Sequence, residues 1–305
     1  MFQYLLAQTV MARVPDARLT GHQLDEWGLC SPDDSAPDVP GALLRGHVVP
    51  VDLVVRSLRR GVAVRAVTPA CRLEHLPSLD AARRAFETPA EINPPEFGDD
   101  HIVVNVRADE ILRGKHPDYL PTPVGLVETV VRESGRRPVL VGQVADDPYS
   151  AALLDRLPEA EIVPSRSPMH DFATLRSAQH LLLAVSTFSW LAGWMSDAET
   201  IHLPVAGLFH PRQRPDLDLV PTDDNRYVFH EVRPRPYDGG PQAIAGLLAG
   251  DDHRRRSSAE IAAVRAEATS ARRRRLWRNH AVFRARVAEY RWRQLRAKVK
   301  FGDVG

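Results

Sequence analysis

The sequence has little cysteine and no long apolar run, and each shortage excludes a class of protein. Of its 305 residues two are cysteines, Cys30 and Cys71, too few for a disulfide framework or a cysteine-based zinc site. The longest apolar stretch, residues 181–195, is interrupted by serine and threonine and is too short to cross a bilayer. No basic leader or small-residue cleavage site marks a signal peptide. We therefore expect a globular protein in a reducing, cytoplasmic compartment.

Several motifs of common enzyme classes are also missing. The sequence contains no Gly-x-Gly-x-x-Gly, no Walker loop and no Gly-x-Ser-x-Gly, which argues against the usual dinucleotide oxidoreductases, P-loop enzymes and α/β-hydrolases. Asp216-Leu217-Asp218 matches the Asp-x-Asp of some metal-dependent sugar transferases, but no apolar strand precedes it. We expect a solvated loop there. The twelve histidines are scattered and predict no metal site.

The net charge of +1 hides a division along the chain. Residues 254–300 contain sixteen arginines and lysines and three glutamates, a charge of +13, so the remainder carries −12. A length of 305 residues is typical of two domains. The sequence thus predicts a mildly acidic body followed by a strongly basic tail.

The first third of the chain is irregular. Residues 2–13 have the apolar spacing of a helix, residues 30–50 are typical of a loop, and residues 51–59 and 62–67 predict a helix and a strand. The segment 88–100 contains three prolines and indicates a linker between domains.

From residue 101 short apolar runs alternate with helical patterns. Such alternation predicts a doubly wound parallel sheet, Rossmann-like, with strands covered on both faces. The predicted strands are residues 102–106, 138–141, 161–163, 181–185 and 200–203, and the predicted helices are 124–133, 149–157, 171–178 and 189–195. Ligands of such sheets bind beyond the carboxyl ends of the strands, so the segments that follow the strands are the candidate sites.

One candidate site follows the strand at 102–106. Arg107 can pair with both oxygens of a diphosphate, and a nearby carboxylate, Asp109 or Glu110, can accept the proton of an acceptor hydroxyl. The alternative is an ion-pair loop at the surface with no ligand.

A second candidate site follows the strand at 181–185. Ser186 or Thr187 at the start of an apolar helix, with the unpaired amides of its first turn, can hold phosphate oxygens. Phe188 and Trp190 are expected to pack in the core or at a domain interface. Plain helix capping by the serine is the alternative.

The basic tail carries one apolar stripe among its arginines. Leu276, Phe283, Val287 and Tyr290 recur at helical spacing. The stripe can pack on the body of the protein, or the segment 254–300 can lie on an anionic membrane surface. Nucleic acid is the least favoured partner because no nucleic-acid module accompanies the arginines.

Three segments resemble the bacterial α1,2-fucosyltransferases, glycosyltransferase family 11. Met1-Phe2-Gln3-Tyr4 is similar to the family's opening Gly-Asn-Gln-Met-Phe-Gln-Tyr-Ala, as though the first strand and Gly-Asn-Gln were missing. Residues 105–110 (Asn-Val-Arg-Ala-Asp-Glu) match His-x-Arg-Arg-Gly-Asp: Arg107 is retained, while Asn105 replaces the histidine, Asp109 the glycine and Glu110 the aspartate. The third segment covers residues 185–191.

That third segment, Val-Ser-Thr-Phe-Ser-Trp-Leu, resembles the family's Asn-Ser-Ser-Phe-Ser-Trp-Trp. Asp171-Phe172 precedes it at the family's usual interval. The whole likeness covers residues 1–14 and 101–210, and its most specific part is this segment.

The resemblance implies a GT-B-like α/β fold with two facing Rossmann-like domains. It implies an acceptor-side domain over residues 1–92 without its first strand and a nucleotide-sugar-binding domain over 93–235. The spacing of the apolar stripe, and not the resemblance, predicts a basic amphipathic helical tail over residues 250–301. The resemblance also implies inverting transfer of fucose from GDP-fucose to an oligosaccharide acceptor, with no metal or other cofactor.

The resemblance also assigns roles to site residues. Arg107 would neutralise the diphosphate, with Asn105 beside it; Ser186, Thr187 and Phe188 would hold phosphate or nucleotide, and Asp171 would support the nucleotide pocket. Glu110 would act as the base or orient the acceptor. Because the arginine motif has lost its histidine and glycine, the alternative is a family member without catalysis that binds a glycan or nucleotide.

Overall fold

The chain folds into two compact units. A computed structural model of the protein describes residues 1–31, 41–250 and 252–302, apart from the side chains of residues 269, 271 and 297–302. One unit comprises Met1–Glu87 and Thr269–Gly305, and the other comprises Thr88–Ala268. We call them the terminal unit and the central unit. The boundary after Glu87 lies at the start of the proline-rich segment predicted as a linker, five residues before the predicted boundary at 92.

The helices and strands follow one another in this order. The N-terminal part contains α1 (Phe2–Met11), β1 (Gln23–Leu24), β2 (Leu29–Cys30), β3 (Ala42–Arg45), α2 (Val51–Leu58), β4 (Val64–Val67) and α3 (Leu79–Ala85). The central unit contains β5 (His101–Val106), α4 (Asp109–Leu112), α5 (Val124–Ser134), β6 (Arg137–Gly142), α6 (Pro148–Arg156), β7 (Glu161–Pro164), α7 (Pro168–Ser177), β8 (His180–Leu182), α8 (Thr187–Met195), β9 (Thr200–Val205), β10 (Tyr227–Val232), α9 (Pro241–Ala249), β11 (His253–Arg256) and α10 (Ser258–Glu267). The last helix, α11 (Thr269–Gly302), returns to the terminal unit.

The central unit is an α/β domain around one seven-stranded sheet. Its strands lie in the order β11, β10, β9, β8, β5, β6, β7, and all neighbours are parallel except β10 and β11. The predicted parallel sheet is therefore confirmed, and each predicted strand and helix after residue 101 overlaps an observed one. Apolar strands such as β5, buried along nearly its whole length, need cover on both faces, and the connecting helices supply it.

Side-chain caps explain where three of the connecting helices begin. Asp147 accepts hydrogen bonds from the amides of Tyr149 and Ser150, and Ser167 accepts one from His170. Proline follows each of these two caps, where its missing N–H costs nothing. Ser186 caps α8 in the same way. The chain thus leaves β6, β7 and β8 through a polar cap at the carboxyl edge of the sheet.

The prediction of a helical tail over residues 250–301 is wrong at its start. Residues 253–256 form β11, an edge strand that pairs antiparallel with β10. Arg256 forms ion pairs with Glu231 on β10 and with Glu260 on α10. An edge strand tolerates such charged residues because one side of it faces solvent. The sheet and α10 extend the central unit to Ala268, beyond the predicted end at 235.

The terminal unit has a small core to which α11 contributes. Phe283 is buried against Leu6, Val10, Leu44 and Val54, with Val287 and Tyr290 packed at the edge of the cluster. Arg286 donates to the carbonyl of Leu43, and Asn279 to that of Val48. Most of the predicted apolar stripe therefore packs on the protein itself.

The sheets of the terminal unit are short in its described part. They are the antiparallel pair β1 and β2 and the parallel pair β3 and β4. A complete Rossmann-like domain over residues 1–92 stays a prediction. None of the helices in the described residues is both long and apolar enough to span a membrane.

Candidate functional site

The two loops predicted as ligand sites follow neighbouring strands. In the sheet β5 pairs with β8, with Val103 opposite Leu181 and Val104 opposite Leu182. Parallel strands end at the same edge, so the loop after Val106 and the turn that begins α8 lie at one carboxyl edge of the sheet. This edge is where a doubly wound sheet offers a ligand its exposed amides and side chains.

The arginine loop is held by its own side chains. The Arg107 guanidinium contacts the Glu110 carboxylate, and both side chains are about one third exposed, 37% and 35%. The Nε atom of Arg107 is buried and has no hydrogen-bond partner among the described residues. Asp109 has a φ of 29°, in the left-handed region that favours glycine. The loop therefore presents its guanidinium at the carboxyl edge in a turn of unusual backbone shape.

Gln143, which the sequence reasoning missed, ties this loop to the neighbouring strand. Its side-chain oxygen accepts a hydrogen bond from the amide of Ala108, and its amide nitrogen lies 3.4 Å from Glu110 Oε2. Its own backbone N–H donates to the carbonyl of Val106. The only signal in the sequence was a polar residue two positions after a predicted strand.

Glu110 is ionised at neutral pH. Burial raises the pKa of this carboxyl, but hydrogen bonds from its own backbone N–H and from Arg107 outweigh burial and hold the pKa below its usual value. A carboxylate with a lowered pKa is a weak base while the arginine stays bound to it. Its basicity rises if a ligand draws the guanidinium away.

Asn105, predicted near the diphosphate, lies within the sheet. Its side chain is buried, and its amide nitrogen donates to the carbonyl of Val141 on β6. It therefore braces the ends of β5 and β6 against each other, directly below the arginine loop. Asn105 is therefore a residue that serves the sheet.

The Ser186 turn is a capped helix start. The hydroxyl of Ser186 accepts a hydrogen bond from the amide of Phe188 at 3.3 Å. Thr187 and Phe188 are half-buried in the first turn of α8. The capping predicted as an alternative is therefore observed, and the positive end of the helix dipole lies at the same edge as Arg107.

Two buried side chains at the start of α7 have polar atoms without partners. Asp171 accepts a hydrogen bond from Ser165 at 2.6 Å through Oδ2, while its Oδ1 has no partner among the described residues. Neither ring nitrogen of His170 has a partner in the same described set. Buried polar atoms are nearly always paired, so these three are acceptors or donors open to a ligand or to water. His170 is a second residue that the sequence reasoning missed, although it follows a capped helix start.

The helix that carries Asp171 packs on the helix of the Ser186 turn. Phe172 and Phe188 meet edge to face, with ring centroids 5.4 Å apart. Among the described residues no hydrogen bond or ion pair joins Arg107 to Asp171 or to Ser186. The carboxyl edge thus brings the predicted residues to one side of the sheet as separate groups, which no hydrogen bond or ion pair joins in the described part of the chain.

The expected solvated loop at residues 216–218 is wrong. Asp218 is buried and accepts two hydrogen bonds from Arg265 of α10, at 2.9 and 3.0 Å. Arg214 pairs with both Asp216 and Asp118. The carboxylates are occupied by arginines of the central unit, so they brace the loop. The polar composition of this loop predicted exposure to solvent, because the arginine that buries Asp218 is distant in the sequence.

Comparisons with protein-family models, with curated proteins and with solved structures found no match to this chain. The similarity to the fucosyltransferases stays a prediction that depends on its three short segments.

Proposed function

We propose that the chain is a metal-independent, inverting glycosyltransferase that binds a nucleotide diphosphate sugar at the carboxyl edge of the central sheet. GDP-fucose is the donor and an oligosaccharide the acceptor, as the resemblance implies. One observation carries the proposal: the Arg107 guanidinium and the N-terminus of α8 follow neighbouring parallel strands, β5 and β8. Both are groups that stabilise negative charge.

Positive groups at this edge suit the chemistry of sugar transfer. When the bond to the sugar breaks, negative charge grows on the departing diphosphate. A guanidinium can pair with two of its oxygens, and the amide of Thr187 in the first turn of α8 can donate to another. Arg107, Ser186, Thr187 and Phe188 thus form the donor site in this proposal.

Binding of the donor has a second effect, which acts on Glu110 through its ion pair with Arg107. A diphosphate competes with the Glu110 carboxylate for the guanidinium. When Arg107 moves to the diphosphate, one of the groups that lower the pKa of Glu110 is lost, beside the backbone hydrogen bond that remains, and its carboxylate becomes a better base. Glu110 then accepts the proton of the acceptor hydroxyl as that oxygen attacks the sugar. Donor binding and base activation are coupled through one ion pair.

The backbone at Asp109 supports the match to the family motif. Asp109 stands where the motif has glycine, and its φ of 29° is a conformation that glycine adopts most readily. The backbone at Asp109 thus has the conformation that a glycine at this position of the motif would favour, although the residue here is aspartate. The unpartnered Oδ1 of Asp171 and the ring of His170 supply polar groups for the ribose or base.

A second candidate is a binding protein without catalysis, for a nucleotide or a glycan. The observation that favours it is the engagement of the motif residues with each other: Glu110 is held by Arg107 and Gln143, and Asn105 by Val141. In that case the loop binds GDP but leaves no carboxylate to act as base.

Calorimetric titration with GDP, followed by turnover of GDP-fucose with an oligosaccharide mixture, tests both candidates. We expect Arg107→Ala to weaken GDP binding at least about tenfold, because a hydrogen-bonded charge pair is removed. We expect Glu110→Gln to bind GDP more tightly, since the competing carboxylate is gone. Its turnover should be at least about 100-fold slower than that of the wild type. Arg113→Ala is the matched control, because Arg113 is an exposed arginine of the same segment.

The outcomes separate the candidates. Wild-type binding of GDP without turnover supports the binding protein and contradicts the transferase. Full turnover by Glu110→Gln excludes Glu110 as the base. GDP binding that is unchanged in Arg107→Ala, or equally weakened in Arg113→Ala, rejects the site itself.

A further inference from the structure

The terminal unit contains a cavity surrounded by arginines. It has a volume of about 170 Å³ and lies between α2, the turn after it and α11. Four guanidinium groups border it: Arg56, Arg60, Arg284 and Arg291. Leu53, Val62 and Val287 form its apolar floor, beside Ser57 and Ala288. We call it the arginine pocket.

The positive charge of the arginine pocket is only partly balanced by the described part of the chain, where Asp52 interacts electrostatically with Arg56. None of its four arginines forms an ion pair with a described carboxylate. The acidic residues of the two helices beside it, Asp52 and Glu289, pair with Arg13 and Arg293, which lie outside the pocket. Four cations that surround an apolar floor repel one another unless an anion joins them. The pocket therefore fits a ligand with a phosphate group and an apolar portion.

Exposed apolar residues lie on the same face of α11. The side chains of Trp277, Trp292 and Leu295 are 73%, 56% and 59% exposed. At 100° per residue, positions 277, 284, 288, 292 and 295 fall on one face of a helix. Arg284 and Ala288 of the pocket thus share a face with these three residues, while Phe283 points into the core.

Large exposed apolar side chains are costly in water unless they have a partner surface. Tryptophan is enriched at the boundary between membrane and water, where its ring lies among the lipid headgroups. Arginines at the same level attract anionic lipids. A helix face with tryptophan, leucine and arginine together is typical of a segment that lies in the membrane interface.

We propose that the terminal unit binds the surface of an anionic phospholipid bilayer, with a lipid phosphate in the arginine pocket and Trp277, Trp292 and Leu295 inserted among the headgroups. This membrane contact is independent of the proposed transferase activity. It would hold the protein at a membrane through the surface of the terminal unit.

Cosedimentation of the full chain with vesicles tests the proposal. One set of vesicles is phosphatidylcholine alone, and the other contains about one third phosphatidylglycerol. We expect binding to the anionic set and little to the neutral set. The double variant Arg56→Gln/Arg284→Gln should lower the partition coefficient about 20-fold or more, since each arginine near the surface contributes about fivefold.

The matched control is Arg18→Gln/Arg65→Gln. It removes the same charge from exposed positions of the terminal unit outside the pocket. We expect at most about a threefold loss, because charges away from the surface are screened by salt. Trp277→Ala and Trp292→Ala should also weaken binding, and the wild-type tryptophan fluorescence should shift to the blue with anionic vesicles only.

Four results would overturn the proposal. They are equal binding to neutral and anionic vesicles, equal losses in the two double variants, tight pocket-dependent binding of soluble glycerol phosphate without vesicle binding, and pocket-dependent binding of RNA without vesicle binding. The third result would assign the pocket to a soluble phosphate ester, and the fourth to nucleic acid. The exposed position of the four substituted arginines keeps the fold intact, which circular dichroism verifies.

Discussion

The imidazoles of His202 and His230 are joined by a hydrogen bond inside the central unit. The Nδ1 atom of His202 lies 2.9 Å from Nε2 of His230, and the rings stack at 5.2 Å. The two residues lie on the neighbouring strands β9 and β10. Burial lowers the pKa of His202 to about 4 and that of His230 to about 3, and the positive charge of Arg255 adds to both shifts. The pair is therefore neutral at pH 7, with one ring donating to the other.

The histidine pair predicts that the protein loses stability in mild acid. Below about pH 6.5 the unfolded chain takes up protons at both rings, while the folded chain does not until the pH approaches 4. Stability is complete above pH 6.5, and these two groups lower it by up to about 2.7 kcal/mol per pH unit as the pH falls. Urea unfolding between pH 7.5 and 4.5 measures this slope. In His230→Asn we expect the slope to fall by up to about 1.4 kcal/mol per pH unit, the contribution of one such group.

His116→Asn is the control for the histidine pair, because His116 is exposed. The slope of unfolding free energy against pH in His116→Asn should equal that of the wild type, since the carboxylates contribute equally in the two proteins. If His230→Asn keeps the full wild-type slope, the buried pair does not cause the acid sensitivity.

Gly142 lies against the backbone of Val106, beneath the arginine loop. It ends β6 with a φ of 113°, and a Cβ there would lie 2.5 Å from the carbonyl oxygen of Val106. Gly142→Ala should lower the free energy of unfolding by about 2–4 kcal/mol, because it adds both backbone strain and a clash. It should also displace the neighbouring Gln143, which braces the loop, so GDP binding should weaken with it.

Gly135 provides the matched comparison for Gly142. It follows α5 with a φ of 64°, and no atom lies within 4 Å of a Cβ placed there. Gly135→Ala should therefore cost only about 1 kcal/mol, the strain of the left-handed conformation. Equal losses in the two variants, measured by urea unfolding, would mean that the clash with Val106 is relieved at no cost.

The parallel sheet was predictable from the sequence because its signal is local. Apolar runs without polar alternation marked β5, β6, β8 and β9, and Ser186 at the start of α8 marked a cap. The same logic located the carboxyl edge, since parallel strands must end together. The approximate places of Arg107 and Ser186 in the fold followed from that edge alone.

The remaining features depend on partners that are distant in the sequence. The strand β11 has the sequence His-Arg-Arg-Arg, pairs along its whole length with β10, and is joined to that strand by the ion pair of Arg256 with Glu231. Asp218 is buried because Arg265 reaches it from 47 residues away. The His202 and His230 pair likewise forms across two strands 28 residues apart. No local pattern predicts such pairs, because burial of a charged or polar group is decided by its partner.

A final prediction concerns the contribution of the last helix, α11, to the core of the terminal unit. If α11 is part of that core, Phe283→Ala should lower its stability by about 3–5 kcal/mol, because the ring is 2% exposed and leaves a cavity. Trp277→Ala, on the exposed face of the same helix, should change stability by no more than about 0.5 kcal/mol. Hydrogen exchange at the amides of α1 and α2 reports on this core directly, since Leu6 and Val54 pack in the same cluster. Faster exchange there in Phe283→Ala alone would identify α11 as a folding element of the unit, whereas unchanged exchange would make it an appendage whose arginines and tryptophans act without the core.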